Sequence, residues 1–182
     1  MMWELIKDLL LVSLGMDIGV VLMCIMSVGK EADYGMKKLE TLIYIVMKIS
    51  HIEHLGIAVK SIEEALPYYE NVLGLKCYNI ETVEDQKVKT AFLKVGDTKI
   101  ELLEPTSPES TIAKFIENKG AGVHHVAFAI EDGVANALAE VEAAGVRLID
   151  KAPRKGAEGL SIAFLHPKST LGVLTELCEK PE

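Results

Sequence analysis

Four residues of this 182-residue chain have the types and placement to hold one metal ion: His54, Glu101, His125 and Glu176. The histidines stand in two similar strand-like runs, Ile52-Glu-His-Leu-Gly-Ile-Ala-Val59 and Val123-His-His-Val-Ala-Phe-Ala-Ile130, and pair at an offset of 71 residues. The glutamates interrupt apolar runs, Ile100-Glu-Leu-Leu103 and Leu174-Thr-Glu-Leu177. An unpaired carboxylate among bulky apolar neighbours costs more than a strand can absorb, and a cation removes that cost. Two neutral imidazoles with two carboxylates form a mixed nitrogen and oxygen set, suited to Zn²⁺, Co²⁺, Mn²⁺, Ni²⁺ or Fe²⁺. A lone strand histidine is more often a satisfied core or surface residue than a ligand. Recurrence of a histidine and a glutamate at matching places in both halves decides for the ligand reading. The other histidines are assigned to the surface (His51), to packing or support of a ligand (His124) and to a loop (His166).

The elements that must position these residues also come twice. In a strand, residues two apart share a face. Leu55, Ile57 and Val59 therefore form a bulky face, and His54 shares the other with Gly56 and Ala58. In the second run Val126, Phe128 and Ile130 are the bulky face, and His125 lies with Ala127 and Ala129. Small residues beside each histidine leave room for a ligand. Each run is followed by a helical pattern, Ser61 to Leu73 and Asp132 to Ala144, ended by Gly74 and Gly145. Ser61 and Glu64 make a capping box, and Ile62, Ala65, Leu66, Tyr69 and Leu73 an apolar stripe. Pro67 inside that helix costs about 3 kcal/mol and predicts a kink. Three strands are expected after each helix: Leu75 to Ile80, Thr90 to Val95 and Lys99 to Leu103, then Val146 to Asp150, Ser161 to Leu165 and Gly172 to Cys178. The linker Pro105-Thr-Ser-Pro-Glu-Ser leads into a short helix capped by Ser110 and ended by Gly120 and Gly122. The class is α+β: two βαβββ modules, about residues 52–104 and 123–178, in one domain over 48–182.

Composition narrows the partners. A net charge of −8 lacks the basic footprint that nucleic acid requires. Cys24, Cys77 and Cys178 are odd in number, far apart and set among apolar neighbours, as for reduced buried thiols in a cytoplasmic protein. Residues 1–47 form an apolar N-terminal extension. Leu9 to Gly29 is apolar enough to score as a membrane span, whereas Glu4, Lys7 and Asp8 do not make the positive start of a secretory signal. Membrane contact is expected through this segment alone. Met47, five residues before Ile52, is the favoured natural start of the domain, which would make the segment an upstream extension.

At the residues quoted, the chain resembles the vicinal oxygen chelate (glyoxalase-like) superfamily and, within it, the methylmalonyl-CoA epimerases. The motifs are Ile-Glu-His-Leu-Gly-Ile-Ala-Val with His54, Lys-Ile-Glu-Leu-Leu-Glu-Pro with Glu101, Gly-Val-His-His-Val-Ala-Phe with His125, and Phe-Leu-His-Pro-Lys-Ser followed by Gly-Val-Leu-Thr-Glu-Leu with Glu176. The resemblance spans about residues 52 to 179. It implies paired modules forming a concave mixed sheet around a metal site and interconversion of the two C2 epimers of methylmalonyl-CoA. It also implies a homodimer and a divalent cofactor, with Co²⁺ the first expectation and Mn²⁺, Zn²⁺ and Ni²⁺ the alternatives. Glu176 is then a ligand and one catalytic base. The other family base is a glutamate in some members, and Thr90 stands there, so a water or a nearby carboxylate must substitute. Lys151, Arg154 and Lys155 form the best local basic cluster for coenzyme A phosphates. A glyoxalase I-like lyase shares the ligand set, but Ala58 replaces the arginine that binds glutathione there. An extradiol dioxygenase has no use for Glu101, and a non-enzymatic ligand-binding module of the same fold generally lacks the complete set.

Overall fold

A computed structural model describes residues 47–180. The apolar stretch from Leu9 to Gly29 and Cys24 therefore lie outside the described residues. No helix among the described residues is long and apolar enough to cross a membrane.

Both modules appear in the expected order. The first consists of β1 (Ile49–Ala58), α1 (Ile62–Pro67), β2 (Cys77–Val83), β3 (Val88–Val95) and β4 (Thr98–Pro105). After the linker helix α2 (Thr111–Lys119) come β5 (Gly122–Ile130), α3 (Val134–Ala143), β6 (Arg154–Lys155), β7 (Ser161–Leu165) and β8 (Thr175–Glu179). The eight strands make one mixed sheet in the order β2-β3-β4-β1-β5-β8-β7-β6. β1 runs parallel to β4 and β5 parallel to β8, whereas β1 and β5 meet antiparallel and join the modules. A hairpin connects neighbouring antiparallel strands, but a parallel pair needs a crossover, which is why the last strand of each module lies beside its first.

Alternation decides what each face does. Ile62, Ala65 and Leu66 of α1, with Tyr69 just after it, pack on Val59, Ala91, Leu93 and Leu102. Val134, Ala137, Leu138 and Val141 of α3 pack on Ile130, Ala163, Leu165 and Leu177, with Met47 against the same cluster. Each fully buried leucine or valine there stabilises the fold by about 1.5–3 kcal/mol. α2 packs on the other side of the alternation, where Ile112 meets Ala58, Val88 and Leu103, and so closes one end of the face that carries the histidines. Ser110 caps α2 by accepting a hydrogen bond from the Ile112 N–H at 3.2 Å.

Three local expectations are revised. Pro67 stops the α-helical turns, and the chain continues as a π-helical turn over Tyr68–Val72, in which the Leu73 N–H bonds the Tyr68 carbonyl at 3.2 Å. Proline has no N–H to give its preceding turn, and the wider turn absorbs the mismatch. The strand expected over Val146 to Asp150 is reduced to a single bridge, Leu148 with Leu165. The N–H groups of Ile149 and Asp150 both reach the Phe164 carbonyl, so the ladder bulges there, and pairing resumes only at Arg154 and Lys155. Finally, Cys178 is buried and free, but Cys77 is only half-buried.

Candidate metal centre

Strands β4, β1, β5 and β8 lie side by side, and two rows of facing residues cross them. In one row Glu101 faces Gly56, and Gly56 faces His125. In the other His54 faces Ala127, and Ala127 faces Glu176. Each row places a small residue between two candidate ligands, so the long side chains converge above the gap. Phe92 extends the first row beyond Glu101 and Phe164 the second beyond Glu176, and the two modules contribute matching residues.

All four candidate ligands are buried: His54 is 2% exposed, Glu101 4%, His125 5% and Glu176 3%. Nε2 of His54 lies 2.9 Å from Nε2 of His125 and 3.7 Å from a Glu176 oxygen, which in turn is 3.2 Å from Nε2 of His125. These three residues offer ligand atoms within 4.8 Å of one another. Glu101 stands on the other flank of the His54 ring, 3.5 Å from Nδ1. The structure thus gathers three expected ligands into one group and sets the fourth against the far nitrogen of His54. A second group within the same 4.8 Å limit contains Glu53, His54 and Glu101.

The charges respond strongly to this crowding. Burial alone would lower the His54 pKa, but the carboxylates of Glu101, Glu176 and Glu53 outweigh it and raise it to about 10. Burial pushes Glu101 up to about 7 against the pull of His54. Glu176 feels the same burial, yet its bonds to His125 and His54 bring it down to about 2. His124 is lowered to about 4 by burial and by His125 beside it.

These residues fit a divalent ion. The ordinary way to bury two imidazoles and two carboxylates together is to share a cation. The backbone makes room for it: a Cβ on Gly56 would stand 2.2 Å from Cε1 of His125, so only glycine lets that ring lie over β1. A cavity of about 210 Å³ opens above the four side chains, with Gln86, Thr90, His124, Arg154 and Phe164 in its wall.

The remaining expected residues separate. Thr90 reaches the cavity and is 1% exposed. Of the basic cluster only Arg154 lines it, its Nε 3.2 Å from Asp150 and its guanidinium carbon 5.5 Å from the centre of the Phe164 ring. Lys151, in the loop before β6, and Lys155 of β6 are exposed. His51 is on the surface, and His166 sits in a turn where its Nδ1 accepts the Lys168 N–H. His124 is half-buried, with Nδ1 2.9 Å from Nδ1 of His125. Sequence reasoning missed Gln86, Phe164 and Glu53. Phe164 was recoverable from the repeat, because it matches Phe92 across the two rows.

The sequence profile of the glyoxalase/bleomycin resistance protein/dioxygenase superfamily matches residues 53–164. A profile described as a protein of unknown function (DUF3789) matches residues 5–36. The chain is 47% identical over 131 residues to an uncharacterized protein of Bacillus subtilis, covering 72% of this chain and 93% of that one. It is 38% identical over 131 residues to the ethylmalonyl-CoA/methylmalonyl-CoA epimerase of Cereibacter sphaeroides, covering 71% and 97%. Among solved structures, a variant of Streptomyces coelicolor methylmalonyl-CoA epimerase in complex with 2-nitronate-propionyl-CoA superimposes with a TM-score of 0.70 at 36% identity, covering 73% of this chain and 96% of that one.

Proposed function

Because the chain belongs to the glyoxalase/bleomycin resistance protein/dioxygenase superfamily and, within it, to the methylmalonyl-CoA epimerases, we propose that it interconverts (2R)- and (2S)-methylmalonyl-CoA at this site with a divalent cofactor. The observation that supports the reading most is the pair of rows Glu101–Gly56–His125 and His54–Ala127–Glu176 beneath a cavity. His54, His125 and Glu176 would hold the ion, with Glu101 as the fourth candidate and Co²⁺ as the first metal to try. A divalent ion there would supply Lewis-acid charge opposite the negative charge that develops as C2 loses its proton.

The chain's own groups would do the rest. The C2 hydrogen lies between a thioester carbonyl and a carboxylate and is acidic for a carbon acid. Glu176, held in its ionised form by its bonds to His125 and His54, is the residue assigned to take it. Return of a proton to the same face restores the starting epimer, and delivery to the opposite face gives the other. Glu101 is the one other carboxylate among the described residues of the cavity wall, and it projects from β4 while Glu176 projects from β8. We assign it the opposite-face transfer. The buried hydroxyl of Thr90 does not ionise near neutral pH, so it relays a proton at most. Burial of the four side chains keeps bulk water from competing for the carbanion. Arg154 is placed to meet an anionic group of the substrate at the cavity wall, with Lys151 and Lys155 outside it for the phosphates of coenzyme A.

Proton NMR in D₂O tests this directly, on purified protein with Co²⁺ and (2R)-methylmalonyl-CoA. The expected outcome is loss of the C2 proton signal, abolished by EDTA. Turnover of the methylglyoxal-glutathione hemithioacetal in place of the acyl-CoA would make the protein a lyase of the same fold and overturn the substrate assignment.

A further inference from the structure

β1 and β5 slip register at three points, and one of them adjoins His54: Ile52 faces Phe128, and His54 faces Ala127. Glu53 is therefore the extra residue of a bulge. Strict alternation would send its side chain to the face opposite His54, and a bulge re-aims it. Its Oε2 stands 2.5 Å from Nδ1 of His54, and its Oε1 accepts from Lys99 Nζ at 2.7 Å. Lys99 also reaches Glu158 at 2.6 Å. Glu158 is fixed in turn, because Tyr78 donates to its carboxylate at 3.2 Å and its own N–H donates to Glu81 at 2.7 Å. The side chains of Glu53 and Lys99 are each 13% exposed, so this ion pair is largely shielded from water.

We propose that Glu53 is a positioning residue for the metal centre: by accepting the Nδ1–H of His54 it fixes the ring so that Nε2 presents its lone pair to the ion, toward His125 and Glu176. Lys99 and Glu158 hold Glu53 in that pose. The inference rests on the metal reading of His54 above. A ligating imidazole needs one nitrogen bare and the other hydrogen-bonded, and loss of the outer partner weakens metal binding by about 10- to 100-fold. The Lys99 ammonium, 2.7 Å from Oε1, pairs with the Glu53 carboxylate and favours its ionised form. Ionised, Glu53 has no proton of its own to give and so can only accept from Nδ1.

Co²⁺ titration of the full chain against a chromogenic chelator, read together with the visible bands of the bound ion, tests the role. For E53A the expected result is an affinity about 10- to 100-fold weaker, with the bands at wild-type wavelengths and the far-ultraviolet circular dichroism unchanged. E53Q, which keeps a neutral acceptor, should fall between E53A and wild type. Affinity equal to wild type in E53A overturns the proposal, and so does a shift of the bands, which would make Glu53 a ligand itself. If E53A does not fold, E53Q decides, and unchanged affinity in it overturns the proposal. Wild-type protein that binds no Co²⁺ overturns the metal reading as well, whereas wild type that binds while E53A is unchanged overturns this one alone.

Discussion

Gly56 of β1 lies directly against the imidazole of His125 on β5: a side chain as small as a methyl there would stand 2.2 Å from Cε1 and 2.5 Å from Nδ1 of the ring. The obstacle is a buried ring held by His54, His124 and Phe164 around it, not the free end of a flexible side chain. Gly56→Ala should cost about 1–3 kcal/mol of stability and weaken Co²⁺ binding together. Chemical denaturation and a metal titration check the two effects. Wild-type values in both would show that the ring yields.

Removal of the assigned base should separate chemistry from folding. Glu176→Ala takes away a buried carboxylate that contacts both histidines. Epimerisation is expected to fall by at least about 100-fold, with circular dichroism unchanged. Turnover within tenfold of wild type in the NMR exchange assay would remove Glu176 from the proton-transfer step.

Arg154 is pinned on one side by Asp150 and stacked over Phe164. Its role is assigned to substrate binding, so Arg154→Ala should raise KM for methylmalonyl-CoA about tenfold, a loss near 1.4 kcal/mol, and leave kcat within a factor of two. Lys151→Ala, on the exposed part of the loop, should have the smaller effect. A fall in kcat at constant KM for Arg154→Ala would place the guanidinium in the chemical step instead.

The titrating groups give the metal-free protein a distinctive pH profile. His54, raised from 6.5 to about 10, contributes stability that is complete below 6.5 and is lost as pH rises through 10. Glu101, raised from 4.5 to about 7, also loses stability on the alkaline side, because its folded state resists ionisation. Glu176, lowered to about 2, contributes stability above 4.5 that disappears as pH falls through 2. The melting temperature in EDTA should therefore peak near pH 4.5–5 and decline toward pH 9. With Co²⁺ the added stabilisation should grow with pH over the same range, because ligands must shed their protons to bind. A metal-free melting temperature that is flat or rises from pH 6 to 9 would contradict these directions.

Much of this architecture can be read from residue pattern alone, because the module occurs twice and each copy checks the other. The faces of β1 and β5 follow from alternation, and the bounds of β7 agree with the expected Ser161 to Leu165. The Ser61 cap is formed, with its hydroxyl accepting the Glu64 N–H at 3.3 Å. What stayed illegible depends on departures from period. A bulge costs one residue and has no composition of its own, and strict alternation would put Glu53 on the opposite face. The segment Val146 to Asp150 has the apolar content of a strand, but the Asp150 side chain accepts the Phe164 N–H at 2.8 Å, where a carbonyl of a regular ladder would stand. The three basic residues 151, 154 and 155 looked equivalent in sequence, and only the loop's path through Asp150 and Phe164 turns one of them toward the cavity.

The two rows that carry the candidate ligands each straddle the antiparallel seam between β1 and β5. Neither module owns a site: residues up to Pro105 contribute one histidine and one glutamate, and residues from Gly122 onward contribute the other pair. A chain severed in the linker from Pro105 to Ser110 would yield two fragments, each with half of a coordination sphere and one uncovered strand edge. Their reunion would restore both at a stroke, so the cation would act as a rivet across the seam, and catalytic competence would report that the halves had found each other.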